Sequence, residues 1–373
     1  MKRPVMIICS ARPGTGSDDS DDDGNITWGR PPKPQPSKKQ CTRSTDTKPE
    51  KTWRNRDSVN PPFELNTIDD LLYIAWNYQG TQIKRETLWE LIPHLIELNS
   101  LIGMEKLKQG VIDMIVYFLQ DLHLGDSEDK APDGDLLHTV LYGPPGTGKT
   151  TVAHILAKIY CKLGFLSTDN VVVVKRSDLI GKYVGHSEAQ TRELLESARG
   201  GVFLLDEAYS LGNGDRTDSF SKAIVDLINQ FLSENKRDLI CIIAGYKKEL
   251  EENFFGLNPG LSRRFPWRFS LEGYSSEELA RMFERKVQFE EWNLSAKQED
   301  IVDFFEKNME LFPAFGGDVE VLFTFCKTTH SRRVFGSEES KKRKLTFEDI
   351  EMASKKMKNK NQEKDKPPSS LYC

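Results

Sequence analysis

Apolar residues recur along this chain with two different spacings, and the change between them divides the sequence into regions. From about residue 67 to residue 122 they recur every three or four positions, which is typical of one buried face of an α-helix. This spacing predicts three helices, at residues 67–78, 84–98 and 104–122. The same spacing returns after residue 275 and predicts further helices at about 275–288, 297–310 and 318–330.

Between the two helical regions, short unbroken apolar runs alternate with longer helical patterns. The runs lie at residues 139–141, 171–174, 202–205 and 239–244, with a shorter one at 267–269. A strand that is apolar at every position is covered on both faces, as happens in parallel sheets. Strands that alternate with helices therefore predict an α/β fold with a doubly wound parallel sheet, followed by a small helical lid domain.

The composition of the ends sets the expected domain boundaries. Residues 1–60 are rich in Pro, Ser, Asp, Lys and Gly, and they bury too little apolar surface to offset the entropy of ordering. We predict that they are disordered. We expect a helical N-terminal segment at 61–100, a large α/β domain at 101–272 and the helical lid domain at 273–354. The remaining residues, 355–373, are expected to form a basic disordered tail.

Composition also limits the setting in which the protein works. The six cysteines are scattered, without the close spacing of a zinc or redox site. No apolar run approaches the roughly 18 residues that a membrane span needs, so no membrane partner is expected. We therefore expect an intracellular protein, cytoplasmic rather than nuclear. The basic run at 341–344 keeps the nucleus as the alternative, because it has the composition of an import signal.

A glycine-rich loop follows the first predicted strand and carries the strongest chemical signal. It matches the pattern G-x-x-x-x-G-K-[ST] and consists of Gly143, Pro144, Pro145, Gly146, Thr147, Gly148, Lys149 and Thr150, with Thr151 next in the helix. Glycines let backbone N–H groups curl around phosphate oxygens, and the positive end of the helix dipole points at them. Lys149 would reach the β- and γ-phosphates of ATP, and the Thr150 hydroxyl would bind Mg²⁺.

Two adjacent carboxylates, Asp206 and Glu207, end the buried run at 202–205, downstream of this loop. Active sites of open α/β sheets lie at such carboxyl ends of strands. Asp206 is therefore predicted to hold Mg²⁺ through its water shell, and Glu207 to orient the attacking water. Glu207 makes ATP hydrolysis, rather than binding alone, the expected activity.

Several stretches resemble the AAA+ ATPases, and within them the CbbX and stage V sporulation K group, which is known for red-type rubisco activases. They are the loop Gly-Pro-Pro-Gly-Thr-Gly-Lys-Thr at 143–150 and residues 178–187, 200–209, 244–246 and 258–265. The resemblance covers about residues 98–333, and similar proteins are encoded by some large DNA viruses. It does not explain the N-terminal hundred residues.

The resemblance implies roles for further residues. Ile102 and Gly103 match the segment that packs near the adenine. Arg264 matches the arginine finger, which reaches the nucleotide held by the neighbouring subunit, and Arg263 is the competing candidate. Tyr183 matches the pore-loop aromatic that grips a polypeptide. A finger that acts on a neighbour implies a ring of identical subunits, with six as the expected number.

Two positions depart from the wider family. Tyr246 stands at the end of the fourth strand. Most AAA+ proteins carry Asn or Thr at this position, whereas the CbbX-like group carries Tyr, as this chain does. Glu320 or Val321 stands where many relatives have an arginine that senses the nucleotide. This departure removes the cation that many relatives place near the γ-phosphate.

The resulting hypothesis is a ring-forming, Mg²⁺-dependent ATPase that remodels a protein substrate by pulling it through a central pore. One alternative is a nucleic-acid motor or clamp-loader-like ATPase, and another is a scaffold that binds ATP without hydrolysing it. Tyr183 and the lack of a concentrated basic domain favour a protein substrate over nucleic acid.

Overall fold

Five parallel strands form the sheet at the centre of the structure. The computed structural model describes residues 64–81, 83–122, 137–180, 186–212, 219–236 and 238–364, so the region predicted to be disordered, 1–60, lies outside it. The strands are β1 Thr139–Tyr142, β2 Val171–Val174, β3 Val202–Leu205, β4 Ile240–Gly245 and β5 Trp267–Ser270. Their spatial order is β2-β3-β4-β1-β5, and every neighbouring pair is parallel, which confirms the predicted α/β sheet.

Alternate residues of the central strands pack into two separate cores. Leu141 and Ile242 belong to the core on one face of the sheet, whereas Val140 and Ile243 belong to the core on the other. Successive side chains of a strand point to opposite faces, so a strand that is buried on both sides is apolar at nearly every position. This is why β1, β3 and β4, which are buried throughout, are almost entirely apolar; the exception in β1 is Thr139, whose hydroxyl is hydrogen-bonded to that of Tyr160.

Four helices cover the first face, including those of the N-terminal segment. They are α1 Ile68–Asn77, α2 Arg85–Asn99, α3 Glu105–Leu119 and α4 Lys149–Lys162. Thr67 caps α1 because its hydroxyl accepts the Asp70 N–H while the Asp70 carboxylate accepts the Thr67 N–H. Helix α2 packs on α4, where Lys158 Nζ lies 2.9 Å from the Glu97 carboxylate. The N-terminal helices thus share the core of the sheet, and the boundary expected at residue 100 does not separate two cores.

Five further helices cover the second face and fill the crossovers between the strands. They are α5 Arg176–Leu179, α6 His186–Ser197, α7 Ser219–Glu234, α8 Lys247–Glu249 and α9 Pro259–Ser262. Helix α8 runs into a π-helical stretch, Leu250–Phe254. The sheet is therefore wound on both faces, as predicted. None of the helices in the described part of the chain has the length and apolar character that crossing a bilayer requires.

The lid has a core of its own, and it is longer than expected. Its helices are α10 Ser276–Phe289, α11 Gln298–Lys307, α12 Gly316–Arg333 and α13 Phe347–Lys364, with a short parallel pair, β6 Asn293–Leu294 and β7 Lys344–Leu345. The prediction of a disordered tail from residue 355 is wrong as far as Lys364. Ile350, Ala353 and Met357 lie on one face of α13 and are buried in the lid core, so the helix continues through the basic segment. Residues 365–373 lie outside the described part.

A buried ionic network joins α12 to α13. Asp349 Oδ2 lies 3.0 Å from His330 Nδ1 and 2.8 Å from the guanidinium of Arg333, and the side chains of Asp349 and His330 are almost fully buried. Burial alone would raise the pKa of Asp349, but Arg333, the Thr346 N–H and His330 together lower it to about 2. The network therefore fixes the last helix on the rest of the lid.

Candidate functional site

The glycine-rich loop joins β1 to α4 at the carboxyl edge of the sheet. Gly146 and Gly148 have φ angles of 72° and 84°, a left-handed backbone that side-chain-bearing residues adopt only at a cost. A Cβ placed on Gly146 would lie 1.8 Å from the carbonyl oxygen of Ala314, just before α12. Gly146 is therefore required both by the conformation of the loop and by its close contact with the lid.

Lys149 begins α4, and its ammonium lies over the loop. Its Nζ donates to the carbonyl oxygens of Gly143, at 3.0 Å, and Pro144, at 2.8 Å. Burial lowers the pKa of Lys149, while the negative charges of Asp206 and Glu207 oppose that shift. The two carboxylates are thus close enough to act electrostatically on the loop lysine, as the sequence predicted for a shared site.

Asp206 and Glu207 follow β3 directly, and Glu207 has a strained backbone. Asp206 Oδ1 accepts the N–H of Glu207 at 3.1 Å. Glu207 has φ 53° and ψ 41°, a left-handed conformation that costs a residue with a side chain about 1–2 kcal/mol. Such strain concentrates at functional sites, where it holds a side chain in a required direction. Glu207 lines the same cavity as Lys149.

A cavity of about 650 Å³ lies between the sheet edge and the lid, and its size is that of a small-molecule site. Most of the predicted site residues form its wall: Ile102, Gly143, Pro145, Gly146, Gly148, Lys149, Thr150, Thr151, Asp206 and Glu207. Gly103, Pro144 and Thr147 belong to the same segments without lining the cavity. The Thr147 hydroxyl instead donates to the Pro144 carbonyl at 2.8 Å, which tightens the loop.

Three tyrosines line the cavity beside these residues. The rings of Tyr209 and Tyr246 lie 5.7 Å apart next to Glu207, and burial followed by the charge of Glu207 raises the pKa of Tyr209 to about 12. Tyr274 donates its hydroxyl to the Thr147 carbonyl at 3.0 Å. Tyr246 was identified in the sequence from its position after β4. Tyr209 and Tyr274 were missed, since nothing in their local pattern distinguishes them from core aromatics.

One face of α10 forms the lid side of the cavity. Met282, Arg285, Lys286 and Phe289 line it, and their spacing of three, one and three residues keeps them on a single helical face. A mixed apolar and basic stripe of this kind was visible in the sequence. Its direction depends on how the lid packs over the loop, so sequence reasoning did not assign it to the site.

The predicted arginine finger is not part of the described cavity wall. Arg264 precedes β5, near the amino ends of the strands, and is not among the described residues that line the cavity. Its Nε donates to Asn229 Oδ1 at 2.6 Å. Tyr183, the predicted pore-loop residue, lies outside the described residues.

The strand order, the glycine-rich loop and the paired carboxylates define a P-loop nucleotide-binding protein. The model of the "ATPase family associated with various cellular activities (AAA)" matches residues 139–268. The fold is also similar to that of the solved AAA domain of FIGL-1 in complex with ADP, with a TM-score of 0.50 and 19% identity over 73% of this chain and 85% of that one. At this identity the likeness concerns the fold.

Curated relatives narrow the class. A cfxQ-like protein of Acanthamoeba polyphaga mimivirus is 41% identical over 277 residues, which are 74% of this chain and 66% of the viral protein. Stage V sporulation protein K of Bacillus subtilis is 32% identical, over 66% of this chain and 77% of its own length. The chloroplastic ribulose bisphosphate carboxylase/oxygenase activase of Cyanidioschyzon merolae is 30% identical, over 62% and 78%.

The chain therefore belongs to the AAA ATPase family, in the branch whose members are named CfxQ, CbbX and stage V sporulation protein K. This confirms the resemblance seen in the sequence. Membership implies nucleotide binding, and the cavity between the loop and the lid is the site that the geometry offers for it.

Proposed function

We propose that this protein hydrolyses ATP with Mg²⁺, in a ring of identical subunits, and uses the energy to remodel a polypeptide. The observation that carries the hydrolysis is the convergence of Lys149, Asp206 and Glu207 on one cavity. A site that binds the nucleotide without hydrolysing it would need only the glycine-rich loop and its lysine. A second carboxylate, held in a strained conformation and facing the same space, supports a role in positioning the attacking water.

Mg²⁺ fits the donor atoms of this cavity. No group of three or more His, Cys, Asp or Glu side chains that could hold a metal ion occurs among the described residues. Mg²⁺ prefers oxygen ligands and usually takes one or two from the protein, with the rest from water and substrate phosphates. The Thr150 hydroxyl and the Asp206 carboxylate, which both line the cavity, would hold it, and the ion would neutralise phosphate charge.

The ring is supported by the position of Arg264. An arginine finger stabilises the charge that develops on the transferred phosphoryl group, so it must reach a nucleotide. Arg264 lies away from the cavity of its own chain and is oriented by Asn229. We infer that it serves the cavity of a neighbour, in a ring of six.

Two points bear on the class of substrate. One relative is named as the activase of an enzyme, and the resemblance places Tyr183 in the loop that grips a polypeptide. These two points favour a protein substrate over nucleic acid.

The test is Glu207→Gln, with Glu252→Gln as a matched control on an exposed carboxylate that does not line the cavity. Glu207→Gln should keep ATP binding and lose at least about a hundredfold in hydrolysis, while the control keeps the parental rate. Unchanged hydrolysis in Glu207→Gln would overturn the assignment.

The ATP-bound Glu207→Gln variant also tests the ring and the substrate. It should sediment as a closed ring and retain its polypeptide target. DNA-stimulated hydrolysis that persists in Tyr183→Ala would contradict polypeptide threading.

A further inference from the structure

Two cations face the cavity from the lid, and they have different partners. Arg285 donates to the carbonyl oxygen of Ser100 and lies 3.4 Å from the Ser100 hydroxyl, so it ties α10 to the segment before Leu101. Lys286 instead points its ammonium at Glu320 on α12, with a separation of 3.1 Å. Lys286 and Glu320 both line the cavity. The hydrolytic roles proposed above use neither of them.

The start of α12 rests directly on the glycine-rich loop, which places Glu320 near the phosphate-binding end of the cavity. Ala314 touches Gly146, and a Cβ placed on Gly316 would lie 3.2 Å from the carbonyl oxygen of Gly146. Glu320 is four residues after Gly316, so it stands one helical turn further along the same face of α12. The Lys286–Glu320 pair therefore lies about one turn from the loop.

The pair belongs to a chain of charges that runs away from the cavity. Lys286 Nζ lies 3.6 Å from Glu290, whose other carboxylate oxygen lies 2.7 Å from Lys327 Nζ. The hydrogen bond to Glu320, above all, raises the pKa of Lys286, so the side chain is an ammonium ion. Glu320 is 65% exposed, and an ion pair with so exposed a partner is weak and readily exchanged.

We propose that Lys286 is the lid residue that binds the γ-phosphate of ATP, and that Glu320 holds its ammonium when the nucleotide is ADP. This rests on the proposed function, because it requires ATP in the cavity. A γ-phosphate offers more negative charge and more acceptor atoms than one carboxylate, so it displaces Glu320 from Lys286. ADP ends one phosphate short and leaves the pair intact. The charge at Glu320 also repels the γ-phosphate. Glu320 therefore weakens ATP binding in two ways, by competing for Lys286 and by this repulsion.

The arrangement supplies a cation near the start of α12, where the family resemblance predicts a sensing arginine and this chain has Glu320 or Val321. Lys286 reaches the same space from α10, and breaking its bond to Glu320 changes a contact between two lid helices. The identity of the bound nucleotide is thereby converted into a change inside the lid. A ligand can shift a structure only through such differential contacts.

The experiment measures equilibrium affinities for Mg·ATP and Mg·ADP on the full chain carrying Glu207→Gln, so that ATP stays intact. Lys286→Met should weaken ATP binding about tenfold and change ADP binding less than twofold. Glu320→Gln should strengthen ATP binding several-fold. Lys327→Met is the matched control, because it removes a lysine from the same charge chain at a residue that does not line the cavity, and it should change neither affinity.

Two further variants separate this role from a structural one. Lys286→Arg keeps the charge and should keep most of the preference for ATP. Glu320→Gln should strengthen ATP binding by a smaller factor when Lys286 is already Met, because the competition for the ammonium is gone. Equal weakening of ATP and ADP by Lys286→Met, or no change in either, would overturn the proposal. A parental protein that binds neither nucleotide would instead overturn the proposed function.

Discussion

Arg264 Nε donates a hydrogen bond of 2.6 Å to Asn229 Oδ1, which links the candidate arginine finger to the middle of α7. This hydrogen bond therefore orients the guanidinium within its own chain, before a neighbouring subunit binds. Beneath it lies the buried imidazole of His138, whose pKa is lowered to about 3 by burial and then by Arg264. That imidazole stays neutral, with Nδ1 accepting the Cys241 N–H, so it adds no charge that would repel Arg264.

This relationship predicts that Asn229 positions the finger. Asn229→Leu should slow hydrolysis about tenfold while ATP affinity and ring size stay unchanged, because only the direction of Arg264 is lost. Asn229→Asp keeps an acceptor and should restore most of the rate. Steady-state hydrolysis, nucleotide titration and sedimentation measure the three quantities. A loss of ATP affinity equal to the loss of rate would show that Asn229 acts on its own cavity instead.

The finger itself can be tested with Arg263 as its matched control. Arg264→Ala should lower hydrolysis by at least about 10³-fold, and Arg263→Ala should lower it little. Mixing Arg264→Ala subunits with Glu207→Gln subunits should restore activity, because some cavities then combine an intact Glu207 with an intact neighbouring Arg264. Absence of recovery at every mixing ratio would contradict action between subunits.

Gly146 and Gly164 allow two reasons for a glycine to be tested separately, the backbone conformation and the contact with the lid. Both have left-handed backbones, but a Cβ on Gly164 meets nothing within 4 Å, whereas one on Gly146 meets the Ala314 carbonyl. Gly164→Ala should cost about 1 kcal/mol of unfolding free energy, from backbone strain alone. Gly146→Ala should cost more and should also weaken ATP binding, because the loop and the lid are pushed apart. Equal losses of stability in the two variants would show that the lid contact does not matter.

Local patterns predicted much of the fold and half of the site. The strand β3 could be placed because a buried parallel strand is apolar throughout, and Asp206 and Glu207 follow it at once. Lys286 could not be assigned, because its role depends on how the lid packs over the loop. The prediction of a disordered tail failed for a different reason, which Met357 illustrates. The lysines around it suggested a solvated tail, yet its burial in the lid core carries α13 onward.

Glu207 combines a catalytic side chain with an unfavourable backbone, and that combination predicts a trade between stability and activity. Glu207→Ala removes the carboxylate but keeps a Cβ at φ 53°, whereas Glu207→Gly removes both the carboxylate and the strain.

Both Glu207 variants should lose hydrolysis. The glycine variant should nevertheless unfold about 2 °C higher than the alanine variant, which corresponds to about 1 kcal/mol in a domain of this size. The greater entropy of glycine in the unfolded chain reduces this gap, so the measured difference is a lower limit for the strain. Calorimetry of the two variants without nucleotide gives the comparison directly. An alanine variant as stable as the glycine variant, or more stable, would mean that the left-handed conformation at Glu207 costs too little to be held there for function.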